Sequence, residues 1–161
     1  MSEKYKFLNP EGMYFTTSTI LNWIDLFTRK DYAEIVLDSL RHCEKRKGLV
    51  IHAWCLMHSH LHMIAGTKGK FDLHEIFRDF KKFTATEIIK CMNEINESRR
   101  EWMLKLFSEE QRLTRITHYK VWQDGNNPVE AGIVWVAEDY CYSSATDYAG
   151  EKGYLDVEII E

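Results

Sequence analysis

The chain has 161 residues, of which 45% are hydrophobic, 29% charged and 13% aromatic, with 2 prolines and 8 glycines. This composition excludes disordered, collagen-like and low-complexity chains, and it predicts a single domain over residues 1–161 with one core. The net charge of −4 is unevenly spread, because residues 138–161 contain seven acidic side chains and one basic one. The rest of the chain is mildly basic, which permits nucleic-acid binding at a local patch but does not require it.

The sequence carries no sign of export or of a disulfide framework. No apolar run approaches the roughly 20 residues that cross a bilayer, and the N-terminal residues lack an apolar signal region. Cys43, Cys55, Cys91 and Cys141 are spread singly, without the C-x-x-C pair of a zinc knuckle. We therefore expect a cytoplasmic protein with reduced thiols and no membrane partner.

The first predicted elements are a strand, a helix and two further strands. Residues 13–20 are aromatic and β-branched, which predicts a strand. Residues 31–46 repeat apolar side chains every three or four positions and end in basic residues before Gly48, which predicts an amphipathic helix with a glycine stop. Residues 49–56 and 60–65 are short apolar runs, which predicts neighbouring strands of one sheet.

A long helical pattern follows these strands. Residues 71–96 place apolar side chains at helical spacing, and the pattern continues toward Phe107 after a break near Asn96. Strands interrupted by helices favour an α+β fold in which helices cover one face of an antiparallel sheet.

Three histidines alternate in the string CLMHSHLHMIA, on the third predicted strand. In a strand, His58, His60 and His62 would project from one side, while Leu61 and Met63 would enter the core. Two imidazoles on one face can bind one divalent cation, with His58 as a candidate third ligand. The same alternation is also typical of a polar strand face without a metal, and the spacing alone leaves both interpretations open.

Several strings together resemble the single-tyrosine HUH transposases, in which two histidines flank a hydrophobic residue on a central strand. Besides IHAWCLMHSHLHMIA, the similarity includes residues 13–20, FRDFKKFT at residues 77–84 and NPVEAGIV at residues 127–134. DYCYSSATDYAGEKG at residues 139–153 resembles the C-terminal signature of the branch associated with repetitive extragenic palindromes. The resemblance therefore covers nearly the whole chain.

This resemblance implies a ferredoxin-like α+β domain that cuts and rejoins single-stranded DNA, usually at a hairpin. His60 and His62 are then expected to bind Mg²⁺ or Mn²⁺, with the oxygen of Asn127 completing the site. The metal would polarise the scissile phosphate, and a tyrosine would attack it to form a 5′-phosphotyrosine intermediate. The implied partner is single-stranded or hairpin DNA, and the resemblance allows a homodimer.

The sequence departs from this family at the nucleophile. Relatives carry a tyrosine four residues before the asparagine of N-P-V, on the same helix face, whereas WQDGNNPV has Gln123 there. The simplest explanation is that a segment with the nucleophile helix is absent between Gly125 and Asn127. Three interpretations stay open: the given sequence omits a segment, the gene is an inactive insertion-sequence remnant, or another tyrosine serves, the nearest being Tyr119.

Basic and aromatic side chains indicate where DNA could bind. Arg78, Lys81 and Lys82 lie in a string shared with the family and are candidates for phosphate contacts, the alternative being a solvated helix face. Three aromatic side chains are candidates for stacking on unpaired bases, the alternative being core packing: Phe15, Trp54 and Trp135. A metal-free DNA-binding domain without catalytic activity is the rival interpretation.

Overall fold

The computed structural model describes residues 12–109, 119–123 and 142–160. Its main elements follow the order expected from the sequence pattern. They are β1 (Tyr14–Ile20), α1 (Lys30–Lys47), β2 (Leu49–Leu56), β3 (His60–Thr67), α2 (Leu73–Glu94), α3 (Arg100–Glu109), β4 (Trp122–Gln123) and α4 (Ala145–Tyr148). Two short 3-10 turns, Leu21–Trp23 and Leu26–Thr28, connect β1 to α1.

The described strands form an antiparallel sheet in the order β2-β3-β1-β4. α1 connects β1 to β2, and α2 and α3 lie between β3 and β4 in the sequence. This order and connectivity are those of the ferredoxin-like split βαβ fold. The predicted α+β class with an antiparallel sheet is therefore confirmed.

The helices cover one face of this sheet. α1 packs against α2 and β2, and α2 reaches β4, where Trp122 Nε1 donates a hydrogen bond to Thr84 Oγ1 at 2.9 Å. From β3, Leu61 and Met63 point into this core and are each 1% exposed. Because side chains alternate along a strand, the residues between them face away from the helices.

The helix limits have local causes. α1 ends at Gly48, whose left-handed backbone (φ 76°) lets its amide donate to the Cys43 carbonyl. α2 begins with a capping box, in which the side chains of Asp72 and Glu75 each accept from the other's backbone amide. It ends before Asn96, so the predicted break is present. Within the described ranges, no helix is both long and apolar enough to cross a membrane.

β2 contains a bulge between Ile51 and Ala53. Leu49 and Ile51 are buried before the bulge, and Trp54 and Leu56 are buried after it. The extra residue shifts the alternation of side chains by one position. Odd-numbered residues therefore face the core before the bulge, and even-numbered residues face it afterwards. Trp54 is consequently 3% exposed and packs in the core, which removes it as a stacking surface for bases.

The C-terminal segment 142–160 lies along the outer edge of β2. The Leu56 amide donates to the Tyr142 carbonyl at 2.8 Å, and the Glu158 amide donates to the Ile51 carbonyl at 2.9 Å. An uncovered edge strand can pair with other chains, so these bonds protect the sheet from aggregation on that side.

Candidate functional site

His60 and His62 lie side by side on the face of β3 that points away from the helices. Their ring centroids are 4.8 Å apart and their planes meet at 72°. The intervening Leu61 is buried in the core on the other side. The sequence alternation thus produces the expected pair of adjacent imidazoles on one face of a central strand.

A hydroxyl group orients each of the two rings. Thr17 pairs with His62 across β1 and β3, and its Oγ1 lies 3.0 Å from His62 Nδ1. Ser59 Oγ lies 3.1 Å from His60 Nδ1. Because the hydroxyls engage Nδ1, the Nε2 atoms are the ring nitrogens left for a ligand among the described contacts.

Burial disfavours the charged form of both imidazoles, and at His60 repulsion from neighbouring histidines adds to it. Burial, followed by the neighbouring His62 and His58, lowers the pKa of His60 to about 4. Burial also lowers the pKa of His62 below its ordinary value. Neutral imidazole is the form that binds metal ions, so the lowered pKa values of the two rings favour metal binding.

Thr19 adds a buried hydroxyl beside the histidines. It is directly opposite His60 in the register of β1 and β3, is 1% exposed, and its Oγ1 has no hydrogen-bond partner among the described residues. On its other side, Thr19 pairs with Gln123 of β4. An unsatisfied buried hydroxyl is costly, which makes this position suited to a polar ligand.

Two exposed aromatic rings flank the histidine pair. Phe15 stacks on His62 with ring centroids 5.4 Å apart and an interplanar angle of 23°. Trp23 meets His60 edge to face at 5.7 Å and 69°. Phe15 and Trp23 are 67% and 39% exposed, respectively. We call the four rings Phe15, His62, His60 and Trp23 the ring row.

Trp23 reaches its place through an unusual backbone conformation. Asn22 and Trp23 both have positive φ angles, of 53° and 57°. Asparagine tolerates this region, but a bulky L-residue there costs about 1–2 kcal/mol. This strained turn is the one that places the Trp23 indole ring against His60. Backbone strain of this kind clusters at functional sites.

The other predicted ligands and the predicted nucleophile make no described hydrogen bond or ring contact with the pair. His58 is exposed in the turn before β3, although it is close enough to His60 to lower the pKa of that ring. Tyr119 is 42% exposed and precedes β4 rather than lying on it. Asn127 lies outside the described residues. Within those residues, no group of three or more His, Cys, Asp or Glu side chains is arranged to bind a metal ion.

The basic residues of α2 lie on the opposite side of the sheet from the histidines. Arg78 is 58% exposed and paired with Asp79 at 3.0 Å. Lys82 is exposed, and Lys81 is half-buried. The structure therefore separates the three candidate phosphate-binding residues from the ring row by the thickness of the sheet.

The chain is similar to known proteins in sequence and in fold. The family model described as "Transposase IS200 like" matches residues 23–126. A solved structure, described as a REP-associated tyrosine transposase bound to a REP hairpin, is similar with a TM-score of 0.55 and 13% identity, covering 100% of this chain and 94% of that chain. At this identity the likeness shows the fold. Among curated proteins, no sequence matches the chain.

Proposed function

Because the chain belongs to the family of IS200-like transposases, we propose that it binds hairpin DNA with an unpaired flank, and that His60 and His62 hold Mg²⁺ or Mn²⁺ at a phosphate of that flank. The observation that carries the proposal is the adjacency of two imidazoles on the sheet face opposite the helices, with 4.8 Å between their ring centroids and with His60 itself 6% exposed. The fold neighbour that was solved with a hairpin supports the choice of DNA.

The donor set fits a divalent cation in part. His60 and His62 supply two nitrogens, and the unsatisfied Thr19 hydroxyl lies beside them. Mg²⁺ and Mn²⁺ favour oxygen ligands, so the amide of Asn127, water and the phosphate itself are the proposed remaining donors. When bound, such a cation polarises a phosphoryl oxygen and neutralises its charge.

The surrounding side chains give the site its shape. Thr17 and Ser59 hold the two rings in fixed orientations through Nδ1. Trp23 closes one end of the ring row against His60. A site with ligands fixed before binding loses less conformational entropy when the phosphate arrives.

A mutation of Thr17 tests this orientation. Thr17→Val keeps the shape but removes the hydroxyl partner of His62, and we expect Mn²⁺ affinity to fall about tenfold, as for other outer-shell changes. The loss of the free Mn²⁺ electron paramagnetic resonance signal measures this affinity. Thr86→Val, on the exposed side of α2, is the matched control. Unchanged affinity in the Thr17 variant would contradict the proposed orientation.

The proposal for DNA predicts a preference for hairpins. A stem-loop with unpaired flanks should bind more tightly than duplex of the same length, in mobility shifts at several salt concentrations. We propose that Arg78, Lys81 and Lys82 contact phosphates of the stem. Arg78→Ala or Lys82→Ala should then reduce the slope of log affinity against log salt by about one, while Lys90→Ala should leave it unchanged. Equal affinity for duplex and hairpin would exclude the hairpin preference.

The covalent step is proposed to be weak or absent in this chain. Gln123 stands four residues before Asn127, where relatives carry the tyrosine. Tyr119 lies four residues before Gln123, up to about 13 Å from the paired residues Gln123, Thr19 and His60. A nucleophile must be positioned at the phosphate to react. The chain then acts as a catalytically inactive hairpin-binding protein, the alternative being an active transposase that uses Tyr119.

An adduct assay distinguishes these two activities. Purified protein is incubated with 3′-labelled hairpin DNA and Mn²⁺ and analysed on a denaturing gel, because a 5′-phosphotyrosine bond keeps the label on the protein. We expect little or no labelled protein. An adduct that maps to Tyr119 and disappears in Tyr119→Phe would show that this tyrosine serves as nucleophile.

We also propose that the protein works in the cytoplasm, where its thiols stay reduced. Cys43, Cys55 and Cys91 are free, and burial raises the pKa of Cys43 and Cys55 to about 11, which keeps both as unreactive thiols. A homodimer stays a prediction.

A further inference from the structure

Phe15 has the highest exposed fraction, 67%, of the large hydrophobic side chains in the described part of the chain. It lies on the same sheet face as the histidine pair, two residues before Thr17 on β1. One face of its ring stacks on His62 at 5.4 Å between centroids. Because the residue is two-thirds exposed although one ring face stacks on His62, we infer that the opposite face supplies much of the exposed surface.

We propose that Phe15 is a base-stacking residue. It receives, on its open face, the unpaired base of the nucleotide whose phosphate lies at His60 and His62. The proposal deepens the function proposed above and rests on it. It concerns one occupant, a nucleobase of single-stranded DNA.

Position and chemistry both support this role. Phe15 touches His62 directly, so a base stacked on it belongs to a nucleotide at the proposed phosphate site and not to a distant part of the strand. Aromatic platforms beside a phosphate site are the general means by which proteins hold single-stranded nucleic acid. Every base has a π-face, so the contact should confer affinity with little sequence preference.

The two ends of the ring row differ in how well they can accept a base, and the Trp23 end is less suited to stacking. The Trp23 indole meets His60 edge to face at 69° and is held there by a strained backbone. The Trp23 ring stands at a steep angle to His60. The Phe15 ring is nearly parallel to His62, at 23°, so a flat group can stack on it and continue the same stack. Phe15 is therefore the more accessible stacking surface of the row, at 67% exposed against 39% for Trp23.

Two variants separate stacking from simple apolar contact. Phe15→Leu keeps an apolar side chain but removes the π-face, and Phe15→Tyr keeps the ring. For hairpin DNA with unpaired flanks, we expect Phe15→Leu to weaken binding about tenfold and Phe15→Tyr to retain it. Blunt hairpin, which has no flank to stack, should bind all variants equally. Trp102→Ala, which removes a 52% exposed aromatic side chain of α3, is the matched control and should change neither affinity.

The second measurement uses 2-aminopurine, whose fluorescence changes when its stacking on neighbouring bases changes. Placed in turn at each flank position, it should change in fluorescence on binding the wild-type protein most strongly at one position, and Phe15→Leu should abolish the excess change there. Circular dichroism of each variant verifies that it is folded.

The outcomes distinguish the stacking proposal from the proposed function. If the wild-type protein binds flanked hairpin and Phe15→Leu equals it in affinity and in the fluorescence change, the stacking proposal is overturned and DNA binding remains. Wild-type protein that does not bind flanked hairpin overturns both. Equal weakening of blunt and flanked hairpin by Phe15→Leu would show that the ring serves only to pack against His62.

Discussion

Replacing His60 and His62 together with alanine is expected to abolish detectable Mn²⁺ binding, a loss of more than about 100-fold. Removal of an outer-shell partner alone costs roughly 10–100-fold, and here both nitrogen donors of the described site are lost. The rings are adjacent, with 4.8 Å between centroids, so the single variants should each lose most of the affinity. Electron paramagnetic resonance of free Mn²⁺ provides the measurement.

His42→Ala is the matched control, because His42 is exposed on α1 and remote from the sheet face. His58→Ala tests the candidate third ligand and should change affinity less than either single variant. Thermal unfolding verifies that the double variant is folded. Full Mn²⁺ affinity in a folded double variant would place the metal site elsewhere.

Glu97→Ala is expected to lower the free energy of unfolding by about 3 kcal/mol at pH 7. The Glu97 carboxylate is 1% exposed and lies 2.9 Å from Arg29 Nε and 3.4 Å from Arg99 Nε, and it accepts a hydrogen bond from the buried Tyr32 hydroxyl at 3.2 Å. Removing it leaves that hydroxyl without this partner and two guanidinium groups without this counter-charge. Both arginines are about one-third exposed, 35% and 30%, so water limits the loss to the low end of the usual range.

The same carboxylate gives a defined pH dependence. Burial acts to raise the pKa of Glu97, but the Arg99 backbone amide and the charges of Arg99 and Arg29 outweigh it and lower the pKa below the ordinary value. Its stabilising contribution is therefore complete above the unfolded-state pKa of about 4.3 and is lost as the pH falls through the lowered folded-state pKa.

Urea unfolding at a series of pH values measures this contribution. Glu97→Gln, which keeps the size of the side chain but cannot ionise, should lose less stability than wild type between pH 6 and pH 3. Parallel pH profiles for wild type and Glu97→Gln would contradict the assignment of the effect to this carboxylate.

Local sequence signals predicted the elements and the histidine pair. Periodicity, the Gly48 stop and the break near Asn96 define α1 and α2 because they act within one helix turn. The H-x-H spacing placed His60 and His62 on one face because alternation is a property of a single strand.

Features that depend on pairing between strands were beyond these local signals. Thr17 and Thr19 are spaced two apart, like the histidines, but their contact with them depends on the register between β1 and β3. The run of four hydroxyl residues at 16–19, TTST, was the signal that could have indicated a polar surface on this strand. In β2, the bulge at Ile51–Ala53 reversed which side chains face the core, and Trp54 is buried as a result. Phe15 lies on β1, whose described pairing with β3 has no bulge, and it is exposed.

The position of the basic residues of α2 also needed the three-dimensional fold. A shared string and positive charge indicated that Arg78, Lys81 and Lys82 contact phosphates, and the structure adds that α2 covers the sheet face opposite the histidines. Sequence similarity identifies candidate phosphate-binding residues, but it does not show on which face of the sheet they lie. Their proposed role is therefore at the stem of a hairpin and not at the unpaired flank.

A crystal structure of the protein with Mn²⁺ and a flanked hairpin tests the central proposal most directly. We predict an anomalous manganese peak bonded to imidazole nitrogens of both His60 and His62 and to a phosphate oxygen of the unpaired flank. Manganese elsewhere, or a hairpin bound with its flank away from this sheet face, would contradict the proposal that metal and single-stranded DNA meet at the histidine pair.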